Sequence, residues 1–412
     1  MRKHVLILCA AFVFAGIMCG TALGAGFALY DFSARGNALG GAMVGRADDP
    51  SAIAFNPAGI TQIPGSSYMT GLAFIMPRGT VTNTGTGLSE DLKEHTFIPP
   101  HFYYTRQMSD TIWFGLGMMT RFGLGTDFQE DWFGRYNSYY ANIESVSLNP
   151  NIVWKVNDAF SVSLGAEVLW MEYFQKKKAD MTLLGGSNNE RVQLKGDDIG
   201  YGWNVGMYFK LDEATRIGLH YRSQVKLRIS GRADSTYAMG GAAASADAWG
   251  DITLPEMYFF GVSRQFTPKL NVEVGAIYTG WSSYDRMDIH YAEDFIRPGN
   301  VLTPSEKNYK NVWRYQLGIE YKRSPEWTWR FGYTYDQSPI PDSTIDYQAP
   351  MSDRQLLSVG FGYTKNDRTW DFAYTYLMAD DRTITRNSGG VVPSQTSNMD
   401  ANIFVISYSV RF

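Results

Sequence analysis

Apolar and polar residues alternate with a period of two along most of the chain. In residues 160–170 the even positions read Phe, Val, Leu, Ala, Val, Trp and the odd positions Ser, Ser, Gly, Glu, Leu. In residues 327–336 the set Trp327, Trp329, Phe331, Tyr333, Tyr335 opposes Thr328, Arg330, Gly332, Thr334, Asp336. Residues 270–278 and 370–376 repeat the pattern, and so does the final run, where Phe404, Ile406, Tyr408, Val410 and Phe412 share one face. Successive side chains of a strand point to opposite faces, so each segment has one lipid-compatible face and one polar face. Sorting of this kind matters because a cation on a lipid face near the bilayer midplane costs roughly 2–4 kcal/mol.

The connections alternate in length. Short turns fall at Ser109-Asp110, Asn157-Asp158, residues 212–214, Thr267-Pro268, Ser324-Pro325 and Asn366-Asp367. Between them lie long polar segments at residues 78–95, 122–141, 176–195, 233–251, 283–309, 338–352 and 380–397. Six short turns and seven long loops predict about fourteen strands with both ends on the short-turn side. An even-numbered antiparallel barrel has that form, and its last strand pairs with its first. The expected fold is an all-β, transmembrane antiparallel β-barrel occupying residues 66–412.

The start of the chain reads differently. Arg2, Lys3 and His4 precede an apolar run over residues 5–18, and Ala22 and Gly24 are small residues placed for cleavage before Ala25. Residues 1–24 read as a signal peptide, too short in its apolar part to span about 30 Å of hydrocarbon. Both cysteines, Cys9 and Cys19, lie in it, so the exported chain has neither disulfides nor thiolate metal ligands. Residues 25–65 lack period-two alternation and contain Gly36, Gly40, Gly41, Gly45, the acidic pair Asp48-Asp49 and Asn56-Pro57-Ala58. Short helical turns joined by glycine and proline suit a plug for a lumen too wide for strand side chains to fill.

Composition narrows the function. No later segment approaches the length of apolar helix that spans a bilayer, while 26 Tyr, 24 Phe and 11 Trp suit aromatic girdles. A net charge of −4 argues against nucleic-acid binding. Histidines 95, 101 and 290 stand alone, and His220 and Ser223 have opposite strand parity. A hydrolytic barrel therefore lacks its serine–histidine pair, and no metal or other cofactor is called for.

Several ordered motifs resemble the FadL family of outer-membrane transporters for long-chain fatty acids and other hydrophobic compounds. Ala25-Gly26-Phe27-Ala28-Leu29 is similar to the family's amino-terminus, and Ala47-Asp48-Asp49 with Asn56-Pro57-Ala58 to its hatch. Further matches are Phe122-Gly123-Leu124-Gly125-Thr126-Asp127-Phe128, Gly202-Trp203-Asn204, Tyr221-Arg222-Ser223-Gln224-Val225-Lys226, Leu254-Pro255-Glu256-Met257 and Ser338-Pro339-Ile340-Pro341. The resemblance implies an N-terminal hatch of short helices, capture of substrate among the loops, a tighter site beside the tail at Phe27, and sideways release at a kinked third strand. It implies a monomer in the bacterial outer membrane, with lipid and lipopolysaccharide around it and a hydrophobic small molecule as its partner. An aromatic-hydrocarbon channel is the alternative within the family, and a lipid-hydrolysing barrel the alternative outside it.

Site residues follow from this reading. Lys177 falls where the family has a carboxylate-binding arginine, and Lys307 and Lys310 lie near the second basic position but shifted from it. Phe128 and Trp132 offer apolar loop surface, for packing or for ligand. Asp48, Asp49, Asn56, Pro57, Ala58 and Asp336 form the hatch and its surroundings, with Asp336 expected to pair with a lumen arginine such as Arg330 on the same strand face. Gly115, Gly117, Gly123 and Gly125 are candidates for the kink, since glycine within a strand marks a bend or a close approach. Strand parity puts Arg216, His220, Arg222, Gln224, Lys226 and Arg228 on one lumen-facing side, opposite inward Glu167, Glu273, Glu320, Asp336 and Asp371.

Overall fold

The computed structural model describes residues 26–412, so the signal peptide and its cleavage site lie outside the described residues. Fourteen antiparallel strands close into a barrel. In order they are β1 (Ser66–Pro77), β2 (Pro100–Gln107), β3 (Ile112–Met119 and Leu124–Asp127), β4 (Tyr140–Asn157) and β5 (Phe160–Ala179). Next come β6 (Glu190–Lys210), β7 (Thr215–Arg222 and Val225–Ser235), β8 (Ala244–Leu254 and Met257–Thr267) and β9 (Leu270–Thr279). The circle ends with β10 (Val312–Lys322), β11 (Trp327–Asp336), β12 (Arg354–Lys365), β13 (Arg368–Ala379) and β14 (Ala401–Arg411). The seam joins β1 to β14 from Ser67 opposite Arg411 to Pro77 opposite Ala401.

The alternation serves two solvents. Outward residues such as Tyr201 and Leu164 are 72% and 63% exposed, an arrangement stable only against lipid, while their neighbours turn into the lumen. Beyond the membrane the alternation becomes unreliable. β5 and β6 run for 20 and 21 residues, about twice the 9–11 needed to cross a bilayer. The expected loops at 176–195 and 233–251 are therefore about half strand, because ladder pairing continues beyond the membrane, where the lipid-facing signal has gone.

β7 holds a second departure from the sequence reading. The chain leaves the strand at Ser223-Gln224 and resumes with its faces exchanged, so Val225, Leu227 and Ile229 are buried while Lys226 and Arg228 are exposed. Of the six side chains assigned to one lumen face, only His220 and Arg222 are buried there. A one-residue slip moves every following side chain to the other face.

Residues 26–65 fill the lumen. Two short helices, α1 (Ala34–Ala38) and α2 (Ala52–Phe55), and a 3₁₀ turn at Pro57–Gln62 are almost wholly buried. Ser33 caps α1 by accepting from Gly36 N at 3.1 Å, and Asn56 caps the 3₁₀ turn by accepting from Ala58 N with Pro57 at its first position. Gly40 and Gly41 turn the chain with φ of +62° and +84°, a conformation that favours glycine.

Candidate ligand site beside the hatch

The wall is broken at β3. Its lower segment pairs with β2 and β4, whereas Leu124–Asp127 pairs with β4 alone. The freed backbone of residues 120–123 turns to the hatch tail: Leu29 N donates to Arg121 O at 2.8 Å and Gly123 N to Phe27 O at 2.9 Å. Ser145 Oγ adds two more bonds, accepting from Phe122 N and donating to Phe122 O. The four candidate glycines divide into two pairs. A Cβ on Gly123 would meet Leu29 and one on Gly125 the Phe97 ring, so these flank the break. Gly115 and Gly117 sit in the regular ladder, where a Cβ would press on Ile53 of the hatch. They make room for the plug and do not bend the strand.

A cavity of about 370 Å³ opens at this break. Leu29, Tyr30 and Asp31 of the tail line its inner part, Gly123, Gly125 and Ile143 the break, and the outward-facing Val146 and Trp170 its mouth. Its polar end is built across strands. Asp336 lies in register with Arg314 on one side and Arg354 on the other, with oxygen-to-nitrogen distances of 2.6 and 2.7 Å. Arg314 also lies 4.4 Å from the centre of the Tyr30 ring. The expected Asp336–Arg330 pair does not form. Arg330 and Asp336 are six residues apart on one strand, about 20 Å of rise, whereas directly facing residues on neighbouring strands are about 5 Å apart. Arg330 instead bonds Glu320 at 2.7 Å and Asp371 at 2.6 Å.

Ion pairs and main-chain contacts hold the hatch. Arg35 reaches Asp48, Asp49 and Glu320 at 2.7, 3.0 and 2.9 Å, and Arg46 meets Glu320 at 3.0 Å. Asn56 Nδ2 donates to Met207 O at 3.0 Å and Ser161 Oγ to Ala58 O at 2.7 Å. Arg222 donates to Ile53 O at 2.9 Å, and His220 Nδ1 lies 2.9 Å from Phe55 O.

The proposed ligand residues are scattered. Phe27 packs edge-on against Trp281 and Tyr284, with ring centres 4.7 and 5.5 Å apart, beside the cavity. Phe128 and Trp132 stack at 4.0 Å under Tyr347 in the loop cover and line no part of the cavity. Lys177 is partly buried on the upper part of β5, in register with Val192. Lys307 is buried on Asp346 at 2.7 Å; burial opposes its charge, but that carboxylate lifts its pKa above the ordinary lysine value. Lys310 is exposed. The sequence reading missed Arg314 and Arg354 at the cavity and Arg35 and Arg46 in the hatch. Strand parity alone would have turned Arg314 inward, between outward Trp313 and Tyr315.

A lipid-facing fourteen-strand barrel, filled by its own N-terminal segment and pierced in its wall beside that segment, defines an outer-membrane transport protein. The chain matches the family described as outer membrane protein transport protein (OMPP1/FadL/TodX) over residues 16–412, and it belongs to that family. It is 28% identical over 399 residues to the long-chain fatty acid transport protein of Escherichia coli strain K12, covering 86% of this chain and 87% of that one. Its fold is similar to that of a Pseudomonas aeruginosa FadL homologue, with TM-score 0.81, 20% identity, and coverage of 94% and 100% of the two chains. The Ralstonia pickettii toluene transporter TbuX shares the fold with TM-score 0.73, 20% identity, and coverage of 93% and 99%. The protein is an outer-membrane transporter of the FadL/TodX type.

Proposed function

We propose that the protein takes up long-chain fatty acids or related hydrophobic compounds passively, capturing them among the loops, holding them beside the tail and releasing them sideways into the outer leaflet. The carrying observation is the cavity that has hatch-tail residues at one end and lipid-facing Val146 and Trp170 at the other. Burying about fifteen methylenes at roughly 0.8 kcal/mol each contributes up to about 12 kcal/mol, against about 1.5–3 kcal/mol for one charge-assisted hydrogen bond. The chain of the ligand therefore dominates binding and its head group orients it. The protein acts as a monomer surrounded by outer-membrane lipid and lipopolysaccharide.

Uptake of an aromatic hydrocarbon is the second reading. At the polar end of the cavity two arginines, Arg314 and Arg354, face two carboxylates, Asp336 and Asp31, which leaves no excess positive charge for an anion there. Uptake of radiolabelled oleate and of toluene, by cells with and without the protein, decides between the two. Absence of a protein-dependent difference for both compounds overturns the transport of hydrophobic compounds.

A further inference from the structure

We propose that the Arg121–Glu167–Arg222 cluster behind the break in β3 is a binding site for one small anion of the carboxylate type. All three residues are 1% exposed. Arg121 Nη1 meets Glu167 Oε2 at 2.5 Å, and Arg222 Nη1 approaches the same oxygen at 3.8 Å. One carboxylate thus serves two guanidinium groups. Around the hatch the balance runs the other way: Arg35, Arg46 and Arg330 share Asp48, Asp49, Glu273, Glu320 and Asp371. A buried cation without a partner is strongly unfavourable, so the extra positive charge calls for an anion.

Arg222 Nη2 is taken up by Ile53 O, Ala54 O and Asn149 Oδ1, but other polar groups of the cluster are unused. Beyond Glu167, the nearest acceptor to Arg121 Nη2 is the thioether of Met257 at 3.7 Å, a weak one. Arg222 Nη1 has no hydrogen bond, and both amide atoms of the fully buried Asn204 lack partners. Such groups need a partner that is not protein. The wall is glycine at this point, and the side chains of the cluster pack directly against its backbone. Gly165 stands in register with Asn204, where a Cβ would press on the Asn151 and Asn204 side chains, and a Cβ on Gly202 would come within 3.5 Å of Glu167 Oε2.

Position links this site to the break. Arg121 belongs to residues 120–123, and its carbonyl holds Leu29 of the tail. The cavity lining reaches Thr120 and Gly123 on either side of it, and Ser145 across the gap. An anion on Arg121 competes with Glu167 for the guanidinium and so acts on the segment that ties the tail to the wall. The carboxylate of a transported fatty acid and an inorganic halide offer the same chemistry. The fatty-acid source rests on the transport reading, whereas the anion site does not.

The test uses the full-length protein in detergent. Bromide is located by anomalous scattering in crystals, and decanoate and decanol are compared by calorimetric titration. Bromide is expected between Arg121 and Arg222 and to be displaced by decanoate, which should bind about tenfold tighter than decanol, the worth of one charge-assisted hydrogen bond. Glu167→Gln removes the competing carboxylate, so it should raise bromide occupancy and widen the preference. Arg222→Gln should abolish the preference while decanol still binds. Bromide that decanoate fails to displace assigns the site to inorganic anions. No bromide, with decanoate and decanol bound alike in wild type and in Glu167→Gln, overturns the anion site and leaves transport standing. Bromide bound with neither lipid retained overturns transport alone.

Discussion

Ala28 and Phe122 form an antiparallel β-bridge between the hatch tail and the broken strand of the wall. The tail therefore supplies the strand pairing that β3 loses at the break, and anything that moves the tail acts on the opening.

Phe27→Ala tests this coupling. The ring lies within 4.7 Å of Trp281 and 5.9 Å of Phe122, and truncating a buried phenylalanine costs about 3–5 kcal/mol. The loss falls on the tail and not on the ladders. Retained hydrophobic ligand, measured by native mass spectrometry, should fall at least about tenfold for a loss of more than 1.4 kcal/mol, while the thermal melt of the barrel stays in place. Unchanged ligand retention counts against a site beside the tail.

Gly332→Val should open the plug. A Cβ there would overlap Gly40 N and lie 2.5 Å from Leu39 C, and neither main-chain atom can swing aside. The barrel should still assemble, since β11 keeps both of its neighbours. Ion conductance in planar bilayers should rise well above that of wild type. A closed channel in this variant means that the hatch does not seal the lumen at α1.

Arg35→Ala strips one guanidinium from three carboxylates, Asp48, Asp49 and Glu320. Breaking a buried pair costs about 3–5 kcal/mol because charge is left uncompensated. Limited proteolysis should cut within the hatch in this variant and not in wild type. Asp48→Asn should have little effect, since that side chain is 40% exposed. Equal protease resistance of Arg35→Ala and wild type would show that packing alone holds the plug.

Asp353 predicts a pH dependence in the loop between β11 and β12. Burial raises its carboxyl to about 7, with Asp380 and Asp336 adding to the rise and the Tyr335 hydroxyl and Arg382 opposing it. The unfolded value is about 3.9, so between about pH 4 and 7 the folded loop keeps a proton that the open loop has released. Local stability should therefore fall as pH rises through this window. Hydrogen exchange in residues 338–352, corrected for intrinsic rates, should show protection declining from pH 5 to 8. Asp353→Asn should flatten the trend; an increase in protection would reverse the sign and sink the argument.

Legibility in the sequence followed the solvent. Where lipid lies on one side and the lumen on the other, as along Trp327–Asp336, alternation reads directly into structure. Above the membrane both faces of β5 to β8 meet water or loops, and the turnover at Ser223-Gln224 passed unnoticed because Val225, Leu227 and Ile229 continue an alternating run. The site depended on pairings between distant strands. Arg314, Asp336 and Arg354 become neighbours only once three strands are in register. Lys307 and Lys310 are close in sequence, yet one is buried on Asp346 and the other is exposed. The hatch residues Asp48-Asp49 stood out by composition, whereas their partner Arg35 had no local signal.

The glycines of the wall carry a consequence for how such a transporter diversifies. Gly218, Gly261, Gly318, Gly332 and Gly360 each leave a space that Val44, Gly45, Leu39, Gly40 or Ala38 of the hatch occupies, largely through main-chain atoms. A joint made mostly of backbone carries almost no record of side-chain identity. Mutations on the wall side of the cavity or in the loops can alter what is carried without re-fitting this joint. Cargo choice and leak-tightness are thus free to evolve separately within one chain.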